Sequence, residues 1–385
     1  MCCIEKEKKN CEKEMVIRVL QVCSSLIRGG GVQTVLKNYY AHMDQKKYIF
    51  DFAVMGEEVG ELEEWFEERG SRVYHLTPRS ISFRKNTKEL QQIIKKGNYD
   101  VVHCNQDYKS LIAIMLAKFY GVRTRIVHCH RAFPPETAKG LLVRKLSTVL
   151  LKCFANVFIG CGENAAKWLY GGRMLKSGKV IVLNNAIDLE KYTFSPEKRE
   201  QIRHELGIES KIVLGNVARM TGVKNHKLLV DIFAKFHQQN DQSSLLLVGD
   251  GELMDEIKDY CRSLGLSESV IFLGARSDVD ELLSAMDVFV LTSLSEGLGM
   301  VLIEAQANEL PAVCSPFVPK EVKLKQNVLF ASEDDYENTE SWCSVIEDAL
   351  NIGRMENMEV LAQAGFDIRR EAKKLEKIYT NRKKL

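Results

Sequence analysis

The sequence predicts an α/β protein of two doubly wound parallel sheets in tandem. Three observations predict it. Short β-branched runs alternate strictly with longer helical stretches. The alternation breaks once, in the polar, helix-poor stretch Asn184–Glu197. The length, 385 residues, exceeds what one core of ordinary size needs. The expected organisation is a charged tail over 1–14, a first domain over 15–189, a second over 190–365 and a closing basic amphipathic helix over 366–385.

Each strand is expected where an apolar, β-branched run is too short for a helix, since parallel strands covered on both faces read as continuous apolar runs. In the first half these runs are Val16–Cys23, Phe50–Met55, Arg72–Leu76, Asp100–Cys104, Arg125–Cys129, Val157–Gly160 and Val180–Leu183. The second half offers Ile212–Val217, Leu245–Val248, Val270–Leu273, Val288–Leu291 and Ala312–Cys314. Helical spacing fills most gaps, as in Leu228, Ile232 and Phe236, or Leu253, Ile257 and Tyr260. Ligands of such sheets bind at the carboxyl ends of the strands, and the cleft between two such domains is the expected site.

Composition removes several classes. Apolar residues are 45% and charged residues 28% with 7 Pro, so the chain is neither disordered nor collagenous. The net charge of +2 argues against a dedicated nucleic-acid binder. The longest apolar run, Leu111–Ala117, is far below the ~20 residues of a spanning helix. The N-terminal stretch lacks the apolar region of a secretory signal, so a cytoplasmic protein is expected, with Met15 a candidate start. The 11 Cys are odd in number and contain no C-x-x-C; Cys23, Cys104 and Cys129 are expected as buried free thiols.

Chemistry is expected at the strand ends. The first strand opens into Arg28-Gly29-Gly30-Gly31, a turn that lets a phosphate or sugar approach the backbone, or merely a tight turn. It is not G-x-G-x-x-G, and no acid ends the next strand, which disfavours a nicotinamide enzyme. In the second half, Arg219 and Lys224 follow a strand and flank Gly222, where two cations can neutralise a departing diphosphate. A further glycine loop holds Gly249 and Gly251. The sharpest constellation is Glu296-Gly297-Leu298-Gly299-Met300 running into Glu304. One carboxylate can accept sugar hydroxyls and the other ribose hydroxyls, while the amides of 297–300 face a diphosphate at a helix N-terminus. At ~1.5 Å per residue the two carboxylates would stand about 12 Å apart. Glu304 sits among Val301, Leu302, Ile303 and Ala305 and so needs a partner.

Glu296 to Glu304 resembles the E-x7-E motif of retaining glycosyltransferases of the GT-B fold, family 4, and the resemblance covers nearly the whole chain. It includes the Gly-Gly loop, His128-Cys129-His130, Ala165–Gly171, Asn184–Asp188, Arg219 with Lys224-Asn225-His226, and Asp287-Val288-Phe289. Within the family it is most similar to the branch that builds bacterial capsules and exopolysaccharides. That resemblance implies two Rossmann-like domains facing a cleft, and a hexose moved with retention from a nucleotide diphosphate sugar, a UDP-sugar above all, to a glycan acceptor. It assigns Glu296 to the donor sugar, Glu304 to the ribose, Arg219 and Lys224 to the diphosphate, and His130 to the reacting centre. Gln33, Asn105 and Gly299 depart from residues common there: Glu, His and Pro.

Other readings are weaker. His103, Cys104, His128, Cys129 and His130 fit no zinc spacing, and strand alternation points Cys129 away from its flanking His. Asp278-Val279-Asp280 imitates a metal-binding D-x-D but reads as a helix cap with a first-turn acid. No metal or other cofactor is expected. A nucleotide-sugar epimerase and a non-catalytic partner subunit are the alternatives to a transferase. Finally, Lys109–Lys152 holds nine Lys/Arg and a single acid, Glu136, beside Leu142, Leu146 and Val149 on one helical face. With a lipid-linked acceptor, this predicts salt-sensitive association with an anionic membrane surface at the cytoplasmic face.

Overall fold

The computed structural model describes residues 16–27, 31–130 and 137–380. The expected tail 1–14, Gly30, Arg131 and Glu136 lie outside them. The chain forms two units, one of residues up to Asn184 with those from Glu371 on, the other Asn185–Arg370.

The first unit holds a seven-stranded sheet: β1 Ile17–Val22, β2 Tyr48–Met55, β3 Val73–Leu76, β4 Val101–Cys104, β5 Thr124–Cys129, β6 Val157–Gly160 and β7 Ile181–Val182. Its order is β3-β2-β1-β4-β5-β6-β7, with every pairing parallel. The second unit holds β8 Ile212–Val217, β9 Ser243–Val248, β10 Val270–Gly274, β11 Val288–Leu291, β12 Ala312–Cys314 and β13 Val328–Phe330, in order β10-β9-β8-β11-β12-β13, again all parallel. Helices cover both faces, so Val19, Leu20, Val101, Val102, Leu245, Leu246, Leu247 and Val290 are buried whichever way they point. β13 has no counterpart among the expected strands. Cys23, Cys104 and Cys129 are buried free thiols.

In both units the strand order reverses at one place, between β1 and β4 and between β8 and β11. At such a switch point the connections leave on opposite faces and open a crevice at the strands' carboxyl ends. Gly31, Arg219, Lys224 and Glu296 follow the strands that border these two places, whereas His130 follows β5 and Gly249 and Gly251 follow β9.

Within the described residues the closing helix is Ile368–Thr380, beginning two residues later than expected, and it does not stand apart. Its Ala372, Leu375, Ile378 and Tyr379 are buried. The Tyr48 hydroxyl bonds the Thr380 hydroxyl at 2.6 Å, and Tyr379 bonds Gln21 and His103, at the far end of the sequence. The helix Ala138–Phe154 is the reverse of ordinary: it buries Thr148 and Leu151 and leaves Leu142, Leu146 and Val149 about 60% exposed. Asp278 stands at the N-cap of Val279–Ala285, yet its carboxylate pairs with Arg276 instead of capping; Asp280 pairs with Lys191 at 2.9 Å.

Candidate functional site

In the second unit the loops after β8 and β11 are joined by hydrogen bonds. Thr292, one residue past β11, donates its hydroxyl to the carbonyls of Lys224 and Asn225, both at 3.0 Å, and Leu294 N–H reaches Val223 O at 2.8 Å. Tyr336 donates to Thr292 O at 2.7 Å and accepts from the Asn225 amide at 3.0 Å. Asn225, at φ +50°, ends the short turn Gly222–Lys224 and caps the helix His226–Gln239. This places Lys224 against Glu296. The Lys224 ammonium lies 2.5 Å from Glu296 Oε1, and Ser293 donates to the same oxygen at 2.6 Å. Both contacts fall on Oε1, which leaves Oε2 to accept from a ligand hydroxyl. Arg219 is exposed and has no ion-pair partner among the described residues. His226 is buried beside Lys224 with neither ring nitrogen hydrogen-bonded, and burial brings its pKa down to about 4.

The glycine loop leads into the helix Met300–Ala307. Gly299 has φ +78°, a conformation closed to proline, so the loop enters the helix by a route that a chain with Pro here could not take. The N–H groups of Gly297, Leu298 and Met300 have no intrachain acceptor among the described residues, and a Cβ on Gly297 would meet open space. These are free donors at a helix N-terminus, suited to an anion. Glu304 lies just over one turn into the helix, beside the Tyr192 hydroxyl and facing Lys191 and Asp280. Burial pushes its carboxyl up to about 7, against the smaller opposing effects of Tyr192 and Lys191.

Gly249 and Gly251 have a structural explanation. A Cβ on either would overlap the carbonyls of Ala218 and Met220, and Met220 N–H bonds Asp250 O at 2.8 Å. They let two strand-end loops touch. Asp287, part of the family resemblance, takes Arg199 at 2.5 Å, Arg203 at 3.1 Å and the Val213 N–H at 2.8 Å, a brace below the sheet.

In the first unit, His130 ends β5 and Asn105 follows β4. His130 Nε2 meets Asn105 Oδ1 at 3.0 Å, and the His130 N–H donates to Asp107 at 3.0 Å. Asn105 donates to Gln21 at 2.9 Å, and Gln21 donates to the Tyr379 hydroxyl at 3.1 Å. That hydroxyl meets His103 Nδ1 at 2.7 Å, and His103 Nε2 meets His128 Nδ1 at 3.2 Å. Asn105 Oδ1 can only accept, so His130 carries a proton on Nε2. Burial holds His103 near about 3 and His128 well below its ordinary range, so both stay neutral. The His128 and His130 rings lie tilted against each other with centroids 3.9 Å apart, on the same side of the strand, as alternation requires. Gly31 opens the helix Gly31–Ala41 with free space where a Cβ would go.

The Lys224–Glu296 pair, Ser293, Tyr192 and Tyr379 escaped sequence reading. Only Ser293, three residues before Glu296, carried a local signal.

The family model described as glycosyl transferases group 1 matches residues 198–358, and that of glycosyltransferase family 4 matches 29–191. A Bacillus subtilis (strain 168) protein named as a glycosyltransferase, EpsF, is 30% identical over 94% of this chain and 96% of its own length. The UDP-Gal:alpha-D-GlcNAc-diphosphoundecaprenol alpha-1,3-galactosyltransferase of Escherichia coli is 30% identical over 74% of this chain and 76% of its own. Among solved structures, Anabaena HepE with UDP superposes with a TM-score of 0.75 at 21% identity, over 95% of this chain and 100% of that one.

Proposed function

Because the chain belongs to the glycosyltransferases of the GT-B fold, in group 1 and family 4, we propose that it moves a hexose with retention from a UDP-sugar to a lipid-linked glycan during assembly of an exopolysaccharide or capsule. The observation that carries the donor half is the pair of stitched loops in the second unit. They hold Lys224 against Glu296 at the switch point, where Arg219 follows β8 and the free amides of Gly297, Leu298 and Met300 follow β11. The names of relatives support the rest: one uses UDP-Gal and a diphosphoundecaprenol acceptor, and HepE is solved with UDP-glucose.

In this reading Glu304 accepts from the ribose and Glu296 Oε2 from the hexose. Arg219, Lys224 and the helix N-terminus hold the diphosphate. The bond from C1 to the diphosphate oxygen breaks, the acceptor oxygen bonds C1 on the same face, and the acceptor proton passes to the departing phosphate. His130 stands on the acceptor side. The charge that grows on the diphosphate is met by Arg219, Lys224 and the helix dipole without a metal.

The test is product analysis with a panel of UDP- and GDP-sugars, each with and without a lipid-linked disaccharide, in chelator. A new α-linked product that needs both substrates is expected. An isomerised donor formed without acceptor identifies an epimerase, and no turnover of any donor indicates a non-catalytic partner. A strict Mg²⁺ or Mn²⁺ requirement overturns the metal-independent step.

We also propose that the protein sits on an anionic membrane at the cytoplasmic face. The support is helix Ala138–Phe154, whose solvent side carries Leu142, Leu146, Val149 and Leu150, with Lys145 and Lys139 at ~60° to either side. Not every cation of the basic stretch is available. Arg144 donates to Trp168 O at 2.9 Å and lies over the Trp168 ring, Lys152 donates to Tyr170 O, and Arg125 to Val122 and Phe154 carbonyls. No described helix is long and apolar enough to cross a membrane. Leu146→Glu with Val149→Glu should therefore abolish sedimentation with phosphatidylglycerol vesicles while donor binding persists, and salt should weaken it by about 1 kcal/mol per cation lost. Equal recovery with neutral vesicles removes the electrostatic part, and unchanged binding of the double variant removes the helix.

A further inference from the structure

A cavity of about 390 Å³ opens at the carboxyl ends of β1 to β5, wholly within the first unit, and is lined by Ser24, Arg79, Asn105, Asp107, Lys109 and His130 among others. Its charges are unbalanced in an informative way. The Arg79 guanidinium is fixed by neutral partners alone. Its Nε meets Asn86 Oδ1 at 3.3 Å and its Nη1 donates to Lys109 O at 2.9 Å. Asn86 is itself buried and donates to Thr77 O at 2.8 Å, so its oxygen is obliged to face Arg79. Nη2 has no hydrogen-bond partner among the described residues. Lys109, exposed and on the turn whose carbonyl holds Arg79, has no ion pair either. The carboxylate of the cavity, Asp107, accepts the His130 N–H and pairs with neither cation.

Two neighbouring cations without a counter-ion repel each other. Burial further disfavours the charge on Arg79, whose pKa is lowered by desolvation. Among the described residues no carboxylate pairs with either cation. Arg79 is a pre-oriented fork of donors, the geometry that matches a carboxylate or phosphate, and Lys109 adds a mobile second charge.

We propose that this cavity is the acceptor site and that Arg79 and Lys109 recognise an oxyanion carried by the acceptor, in a cavity that His130 also lines. The inference rests on the transferase reading for what enters the cavity. The shared chemistry is a phosphate or carboxylate group. It comes either from the diphosphate that joins a glycan to its lipid or from a uronic acid in the glycan.

The test is calorimetric titration of the full chain, with UDP saturating so that the anion-binding loops of the second unit are occupied. Three amphiphiles of equal alkyl length are compared below micelle formation: an alkyl glucoside, an alkyl glucuronide and an alkyl diphospho-N-acetylglucosamine. At least one anionic probe is expected to bind about tenfold or more tighter than the neutral one, as charge-assisted hydrogen bonds imply. A preference confined to the diphosphate identifies the lipid linkage, and one confined to the glucuronide identifies a uronic acid. Lys109→Ala, which removes an exposed side chain without structural contacts, and Arg79→Gln should each reduce that preference and leave the neutral probe unchanged. Lys109→Ala keeps the test valid if Arg79→Gln folds poorly. Equal binding of all three probes, or a preference untouched by both variants, overturns the inference. Binding is read without transfer: anion preference without any transfer removes the proposed function alone, and transfer without anion preference removes this inference alone.

Discussion

Replacing Lys224 by Ala is expected to lower kcat about 100- to 1,000-fold, more than replacing Arg219, with a smaller rise in donor KM. The diphosphate gains charge as the sugar departs, so a fixed cation acts more strongly on the transition state than on bound donor. Arg219 is exposed, and in the proposed function it acts on the diphosphate alone. Lys224 has a second role, since its ammonium also holds Glu296, whose side chain is 10% exposed. Removing Lys224 leaves that carboxylate with Ser293 for a partner and frees it to turn from the sugar. Glu296→Ala should have the opposite effect on the nucleotide: Lys224, released from its ion pair, binds free UDP as well as before or better, while sugar transfer falls. The double variant should then lose less than the two single losses combined, since both disable one unit. Steady-state kinetics and UDP titration of the four proteins decide it. Equal effects of Arg219→Ala and Lys224→Ala, or strict additivity in the cycle, would exclude a joint role for the pair.

The pair shows where sequence reading ends. Glu296 and Lys224 were each visible as charged residues at strand ends, but 72 residues separate them, and no local pattern says that an ammonium will close on a carboxylate. The strands were legible because a parallel strand buried on both faces must be apolar throughout, as Leu245–Val248 is. β13 was not, although β12, which was expected, is just as short. The closing helix announced itself by its apolar spacing. Its place in the first unit did not, since that depends on Tyr379 meeting Gln21 and His103, 358 and 276 positions away. Arg144 likewise looked like a free cation until Trp168, 24 residues on, offered a ring and a carbonyl. The comparison with solved structures restores the fold but not these pairings, which belong to this chain's own side chains.

Donor binding should depend on pH through Glu304. Burial lifts this carboxyl to about 7, while the ordinary carboxylate value is 4.5, so near neutrality it is half protonated in the free protein. A ribose presents two hydroxyls, and an ionised carboxylate accepts from both, whereas a protonated one has to donate from one of its oxygens. Ligand therefore selects the ionised form, and affinity should rise as pH increases from about 5 and level off above about 7. UDP-glucose is the probe to use, because its diphosphate diester has no proton to lose in this range. Stability should run the other way. The folded-state pKa lies above the unfolded one, so the folded protein holds the proton longer and loses stability as pH rises from about 4.5 to about 7, by at most about 3 kcal/mol. Tyr192, Lys191 and Asp280 face the group and set where the step falls. Glu304→Gln should flatten both profiles. It should raise the melting temperature near pH 7.5 and weaken UDP-glucose there about tenfold or more, the loss of a hydrogen bond to charge. Isothermal titration and thermal unfolding across pH 5 to 8 measure the two signs independently. A parent whose affinity is flat over that range, or a Gln variant that binds as the parent does, would sever Glu304 from the ribose.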